Sequence, residues 1–317
     1  MNNHSMGVKD LVGALLKNVS KVIIGKDQSI RLILIALLSS GHVLLDDIPG
    51  TGKTSLAGAL ARSISGDVRR IQFTPDLLPS DITGINYYDQ KNNEFVLRRG
   101  PVFTNVLIAD EINRTTPRTQ SALLECMGEY QATIDGVTYP LERPFFVIAT
   151  QNPIESLGTF PLPEAQLDRF FMRLSLGYPE RDDEIRILTE HSKASPIEDL
   201  RPVCTKEDVV RALDEITSVT VSDKIKDYIV RIADATRNDA KIRLGVSTRG
   251  ALALMRASQA HSALEGRDFV LPDDVKAVAV PVLSHRIIVS SQSAVRLNRA
   301  GESMISLIID TVKAPIN

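Results

Sequence analysis

The chain has little of the residue types that mark disulfide-bonded or metal-binding proteins. Only two of its 317 residues are cysteines, and none is tryptophan. Cys126 and Cys204 are far apart and lack CxxC spacing, which excludes a disulfide framework and a thiolate metal site. The five histidines are scattered without the spacing of metal ligands. These features are typical of a reducing compartment, and the localisation that we expect is cytoplasmic.

Long hydrophobic runs and an excess of one charge are also missing. The longest uncharged apolar stretch, residues 32–38, is too short to span a bilayer, and the N-terminus has no apolar signal core. The 37 basic and 39 acidic residues nearly cancel, so no global positive field favours nucleic acid. We therefore expect no membrane insertion and no nucleic-acid partner. The length allows two domains with a sizeable core.

A glycine-bearing loop follows the apolar run at residues 43–45 and has the character of a phosphate-binding loop. Its glycines allow the backbone N–H groups to turn toward a phosphate, its lysine supplies a cation, and its threonine can bind Mg²⁺. The usual pattern opens with glycine, but Asp47 stands there. A simple turn between a strand and a helix is the alternative. The candidate nucleotide ligands are Pro49, Gly50, Thr51, Gly52, Lys53, Thr54 and Ser55.

Further short apolar runs alternate with helical patterns up to about residue 177. They lie near residues 106–109 and 145–150, and a further strand is predicted near residues 70–73. This alternation is typical of a parallel sheet covered by helices on both faces, with ligands at the carboxyl ends of its strands. Beyond residue 180 the pattern is helical. We predict an α/β fold with a phosphate-loop core at residues 1–180 and a smaller all-α lid domain at residues 181–317.

Polar residues stand where several of these runs end. Asp110 is suited to hold Mg²⁺, and Glu111 is suited to polarise a water that attacks a γ-phosphate. Asn152 can hydrogen-bond that water or the phosphate. Arg169 is a candidate arginine finger for the nucleotide of an adjacent subunit, and Arg249, at a helix start, can reach phosphates. Solvated strand ends, an Asn-Pro turn and surface ion pairs are the alternatives.

Four longer segments, together with the loop and the arginines, resemble a known family, the MoxR family of AAA+ ATPases. They are DEINR at 110–114, QSALLE at 120–125, ATQNP at 149–153 and LPEAQLDRF at 162–170. The resemblance covers nearly the whole chain, and that family tolerates an acidic residue where Asp47 stands. It implies binding of ATP or ADP with Mg²⁺, ATP hydrolysis, a helix insertion near residues 74–100 and a β-hairpin near residues 130–140.

The resemblance also implies how such a protein works. Family members assemble into rings, usually hexamers, and are thought to act as chaperone-like remodellers or maturation factors for a protein client. Their partners often carry a von Willebrand factor A domain. Two alternatives remain open: a nucleotide-gated assembly scaffold with little turnover, and an AAA+ motor linked to nucleic acid through the basic pairs at residues 69–70 and 98–99.

Overall fold

A computed structural model of the chain describes residues 6–46, 50–151, 158–191, 196–290 and 297–315. Within these ranges, every helix is too short or too polar to cross a membrane. The helices are α1 (Val8–Val19), α2 (Asp27–Leu38), α3 (Lys53–Ser63), α4 (Pro79–Thr83), α5 (Pro117–Glu129), α6 (Glu164–Leu167), α7 (Arg181–His191), α8 (Lys206–Thr217), α9 (Asp223–Asn238), α10 (Thr248–Leu264), α11 (Pro272–Leu283) and α12 (Leu297–Thr311). The strands are β1 (Val43–Asp46), β2 (Val68–Gln72), β3 (Gly84–Asp89), β4 (Glu94–Arg99), β5 (Val106–Asp110), β6 (Gln131–Ile134), β7 (Val137–Pro140), β8 (Phe146–Gln151), β9 (Met172–Leu174), β10 (Ile242–Leu244) and β11 (Ile288–Val289).

The central sheet has five parallel strands in the order β2-β5-β8-β1-β9. Strand β1 lies between β8 and β9, so Val43 pairs with both Ile148 and Met172. Because all five strands run in one direction, their carboxyl ends share one edge of the sheet. The strand order reverses beside β1, and such a switch point opens a crevice for a ligand.

Side chains along the buried strands alternate between two cores. In β5, Val106 and Ile108 join the core that includes α1, α2, α3 and the later helices, whereas Leu107 and Ala109 join the core with α5. The same alternation is present in β8. Both faces are therefore covered, which is why these strands are continuous apolar runs. The predicted α/β fold with a helical lid is confirmed.

Residues after β9 are mainly helical, and they pack against the start of the chain. Helix α10 contacts α1 and α2, and one continuous apolar core joins them. A short antiparallel pair, β10 with β11, accompanies the lid helices. Residues 74–100 contain the five-residue helix α4 and the hairpin β3–β4, so most of the expected helix insertion is a hairpin here. The hairpin β6–β7 occupies residues 131–140.

A buried carboxylate organises the start of α11 in the lid. The two oxygens of Asp274 accept hydrogen bonds from Arg267 (2.6 and 2.7 Å), from His261 (2.7 Å) and from the Leu271 N–H (2.7 Å). Burial raises the pKa of Asp274, but these hydrogen bonds outweigh it and lower the pKa to about 2. The carboxylate is therefore charged throughout the physiological pH range.

We expect Asp274→Asn to lower the free energy of unfolding by about 3 kcal/mol at pH 7, because Arg267 would keep its charge without a partner. Urea denaturation measures this loss. Because the pKa is depressed, the contribution of this carboxylate to the free energy of unfolding is complete above about pH 4 and is lost as the pH falls toward 2. The adjacent Asp273→Asn is the control: its side chain is 90% exposed, so a loss of less than about 0.5 kcal/mol is expected. Equal losses would contradict the prediction.

Candidate active site

The glycine-bearing loop joins β1 to α3 at the carboxyl edge of the sheet. Gly50 has φ 87° and Gly52 has φ 82°, a left-handed conformation that strongly favours glycine. Gly52 is the N-cap of α3, and Lys53 is its first residue. The first N–H groups of a helix have no acceptor within the helix itself, and together with the helix dipole they favour an anion there. Of the predicted loop ligands, Pro49 lies outside the described residues, as does Asp47.

Asp110 is held by two side chains from neighbouring strands. Its Oδ1 accepts a hydrogen bond from the Thr150 hydroxyl at 2.8 Å, and its Oδ2 accepts from Arg70 Nε at 2.9 Å. Arg70 Nη2 lies 2.8 Å from the same oxygen. Asp110 is only 7% exposed, so these contacts fix the carboxylate at the end of β5.

Glu111 leaves the strand in a left-handed conformation, with φ 57°. Its N–H donates to the Thr150 hydroxyl at 2.9 Å, so one threonine binds both members of the acidic pair. Its Oε2 accepts from Gln72 at 2.7 Å and from Arg114 at 3.1 Å. A non-glycine residue at positive φ is strained, and such strain is common at functional sites. The backbone here turns the Glu111 side chain toward the sheet edge.

A cleft of about 220 Å³ brings these groups together. Seven of the predicted site residues, from the loop, the start of α3 and the end of β5, line this one space. Unpredicted residues Arg70, Gln72 and Thr150 complete it. The predicted residues that line the cleft are Gly50, Gly52, Lys53, Thr54, Ser55, Asp110 and Glu111.

The hydroxyl of Thr54 and the carboxylate of Asp110 are hard oxygen donors, the ligands that Mg²⁺ prefers. Both line the cleft beside Lys53 and the start of α3. The cleft thus combines cationic and N–H groups suited to phosphates with oxygens suited to a magnesium ion. The chemistry of this donor set fits a Mg²⁺–nucleotide complex.

A second cavity of about 380 Å³ lies on the other side of the loop and shares Gly50, Gly52 and Ser55 with the first. Its walls are mostly apolar and come from residues 22–24, residues 177–179 and helix α7. Lys26 Nζ donates to the Tyr178 carbonyl at 2.8 Å and ties two of these walls together. An apolar cavity next to a phosphate cleft is suited to a nucleobase. The apolar run at 22–24, where two helical patterns break, was the available sequence signal.

The two predicted arginines lie elsewhere. Arg169 Nη1 donates to the Leu124 carbonyl at 3.0 Å, and Arg249 Nη1 lies 3.8 Å from Asp168 Oδ2. Neither belongs to the described residues that line the two cavities. Both are exposed. The predicted sensor Asn152 lies outside the described residues.

Sequence reasoning missed several groups that hold the strand ends. Asp46, at the end of β1, pairs with Arg173 of β9 and accepts a hydrogen bond from Gln151 of β8 at 3.2 Å. Each of the missed residues of the cleft had a signal in the sequence. Arg70 and Gln72 are two apart in a strand and so share one face. Thr150 stands at the end of a buried apolar run, where functional groups are expected.

Comparison with known proteins agrees with this geometry. A family model described as "ATPase family associated with various cellular activities (AAA)" matches residues 42–172, and one described as "AAA lid domain" matches residues 234–304. The chain is 40% identical over 306 residues to Chaperone MoxR1 of Mycobacterium tuberculosis, covering 94% of this chain and 80% of that protein. The chain belongs to the MoxR family of AAA+ ATPases. The predicted family is therefore confirmed.

Two further matches cover nearly the whole chain. The uncharacterized protein YeaC of Bacillus subtilis is 49% identical over 306 residues, covering 96% of this chain and 95% of that protein. The crystal structure of a protein from Cytophaga hutchinsonii superposes with a TM-score of 0.88 at 38% identity, covering 98% and 96% of the two chains. Membership of this ATPase family implies nucleotide binding.

Proposed function

We propose that this MoxR-family protein hydrolyses ATP with Mg²⁺ at the cleft between the loop and the acidic pair. The observation that carries the proposal is the convergence of Lys53, Thr54, Asp110 and Glu111 on one 220 Å³ space. Lys53 and the N–H groups of the loop bind the phosphates. Thr54 and Asp110 hold Mg²⁺, which would neutralise charge that develops on the phosphates. The apolar cavity next to the loop takes the adenine.

In this proposal Glu111 accepts a proton from the water that attacks the γ-phosphate. Asn152 orients that water or contacts the phosphate. Arg169 reaches the nucleotide of the next subunit and stabilises the transition state, and Arg249 contributes from the lid. Both arginines are exposed and lie outside the lining of the phosphate cleft and of the apolar cavity in their own subunit, which supports a site that is shared between subunits.

We further propose that the chain forms a ring of identical subunits, six in number, with a core at residues 1–180 and a lid at residues 181–317. An arginine supplied by a neighbour requires a head-to-tail interface, and such an interface forms a ring when the rotation between subunits closes. Movement of the ring during ATP turnover would remodel a protein client in the cytoplasm, with a partner that carries a von Willebrand factor A domain. The family resemblance supports this role.

The rate of ATP hydrolysis per subunit, measured across protein concentration, tests the proposal. We expect it to rise about a hundredfold or more as subunits assemble, because a monomer lacks the neighbour's arginine. Analytical ultracentrifugation follows assembly in the same samples. Chelation of Mg²⁺ should abolish turnover. A rate that is independent of assembly would contradict the shared site, and the absence of hydrolysis by assembled protein would contradict the ATPase proposal.

A nucleotide-gated scaffold is the second candidate, and one observation favours it. Glu111 Oε2 already accepts hydrogen bonds from Gln72 and Arg114, which lowers its availability as a base. If these contacts persist with ATP bound, assembly would depend on nucleotide while turnover stays slow. The concentration series above separates the two candidates. The nucleic-acid motor has less support, since Arg70 of its first basic pair is bonded to Asp110.

A further inference from the structure

The segment at residues 168–171 belongs to the core, yet the lid binds it at many points. Its four residues connect α6 to β9 and include Arg169. From the lid, Arg286 and His285 approach one side of the segment, and Ser247 and Arg249 approach the carboxylate of Asp168. The segment that carries the candidate arginine finger is therefore attached to the lid.

Arg286 is the centre of this attachment. Its Nε donates to Asp168 Oδ1 at 2.8 Å, and its Nη2 donates to the Phe170 carbonyl at 2.6 Å and the Asp168 carbonyl at 3.4 Å. Its Nη1 donates to the Phe171 carbonyl at 3.1 Å and also to the Val282 carbonyl. One guanidinium thus binds three backbone carbonyls of the segment. Only the planar fork of an arginine has enough donors in fixed directions for this pattern.

Burial adds a desolvation cost to the contact between Arg286 and Asp168. The Arg286 side chain is only 2% exposed, and Asp168 is 19% exposed. Burial lowers the pKa of Arg286 to about 10, against the opposing effect of the Asp168 carboxylate, so the guanidinium remains charged at neutral pH. A buried charge of this kind depends on its partner, because loss of either member leaves the other uncompensated.

The other lid contacts hold the same segment. His285 Nε2 lies 3.1 Å from the Phe170 carbonyl, which assigns the ring proton to Nε2. The Ser247 hydroxyl donates to Asp168 Oδ2 at 3.1 Å, and Arg249 Nη1 lies 3.8 Å from the same oxygen. Asp168 therefore contacts two lid elements, the start of α10 and the turn at Ser284–Arg286. Arg169 is the next residue in the chain, so a displacement of Asp168 also displaces Arg169.

We propose that Arg286 is a positioning residue for Arg169. Its contacts with Asp168 and with the carbonyls of residues 168–171 make the lid and the segment that carries the arginine finger move together as one rigid body. This inference rests on the proposed ATP hydrolysis and on the role of Arg169 in it. Movement of a subunit's lid then changes where Arg169 stands in the neighbour's site. The position of each lid thereby controls hydrolysis in the adjacent subunit, not only in its own.

A double-mutant cycle on full-length assembled protein tests the coupling. Arg286→Lys keeps the charge but loses the fork, and we expect it to lower kcat about tenfold to a hundredfold with little change in KM, because displacement of a catalytic group by about 1 Å costs this much. Arg169→Ala should cost at least as much. If Arg286 acts through Arg169, Arg286→Lys has no further effect on kcat in the Arg169→Ala background. Single-turnover hydrolysis of radiolabelled ATP makes the slow rates measurable.

Two further variants serve the double-mutant cycle, one as a substitute for Arg286→Lys and one as a control. Ser247→Ala removes one hydroxyl from Asp168 and is the milder change to use if Arg286→Lys does not fold or assemble; the same lack of additivity with Arg169→Ala is expected. Asp274→Asn breaks a buried arginine–carboxylate pair of the lid that does not contact residues 168–171. Any effect of Asp274→Asn on kcat should multiply with that of Arg169→Ala.

The outcomes separate this inference from the proposed function. Wild-type protein without ATP turnover would contradict the proposed function itself. Normal turnover in Arg169→Ala would remove the finger and the coupling together. Turnover that falls in Arg286→Lys and falls again by the same factor in the double variant would overturn the coupling alone, since Arg286 would then act independently of Arg169.

Discussion

Replacement of Glu111 by glutamine is expected to lower the rate of ATP hydrolysis by about a hundredfold to a thousandfold while ATP binding is retained. A glutamine amide has nearly the same shape but cannot accept the proton of the attacking water. The phosphate ligands of the loop are unchanged, so affinity should stay within about a factor of three of wild type. Steady-state phosphate release and titration with a fluorescent ATP analogue measure the two quantities.

Glu129→Gln is the matched control for this experiment. Glu129 is an exposed carboxylate at the end of α5, outside the described lining of either cavity, and the substitution makes the same chemical change. Its turnover should equal that of wild type. Unimpaired turnover in Glu111→Gln would remove Glu111 from the role of base. If the prediction holds, the ATP-bound variant is also the form in which to capture a client protein by affinity purification.

Replacement of Lys53 by alanine is expected to weaken ATP binding about a hundredfold. Lys53 is the first residue of α3 and lines the phosphate cleft, and a charge-assisted contact to a phosphate is worth up to about 3 kcal/mol. Isothermal titration calorimetry measures the affinity. At a fixed ATP concentration, ATP should also raise the melting temperature less than in wild type, because ligand stabilisation grows with the ratio of ATP concentration to Kd.

Lys276→Ala controls for the loss of a lysine. Lys276 lies on α11 and has a weak surface contact of 3.8 Å to Asp273, so the substitution should leave the affinity for ATP unchanged. An Lys53→Ala variant that binds ATP as tightly as wild type would refute the assignment of the loop as the phosphate site. The same result in both variants would place the nucleotide elsewhere.

The sheet and the acidic pair were predictable from sequence because their signals are local. The strand β5 is a continuous apolar run that ends in Asp110 and Glu111, and the positive-φ positions of the loop are glycines. The apolar run arises because a parallel strand is buried on both faces of its sheet, and the glycines are needed because their backbone has positive φ. Each can be recognised from a window of a few residues.

The partners of these groups were not predictable in the same way. Gln72 and Glu111 are 39 residues apart, and Asp168 and Arg286 are 118 apart. No periodicity links such pairs, since the contact depends on where two elements pack. Arg70, considered from sequence only as part of a basic pair, is bound to Asp110 while remaining half exposed. The helix insertion at residues 74–100 was taken from the family resemblance instead of from the residues themselves, whereas the structure has the five-residue helix α4 and the hairpin β3–β4 there.

The position of β1 between β8 and β9 also affects how the chain folds. Asp46 and its partner Gln151 are 105 residues apart, and β9 follows still later. During synthesis the phosphate loop leaves the ribosome long before the strands that flank it, and non-local pairings of this kind slow folding. The strand β1, which precedes the loop, completes its pairing only once β8 and β9 are in place. Under the proposed function, nucleotide would bind only subunits in which this pairing is complete, and partly folded chains would be excluded from nucleotide-dependent assembly.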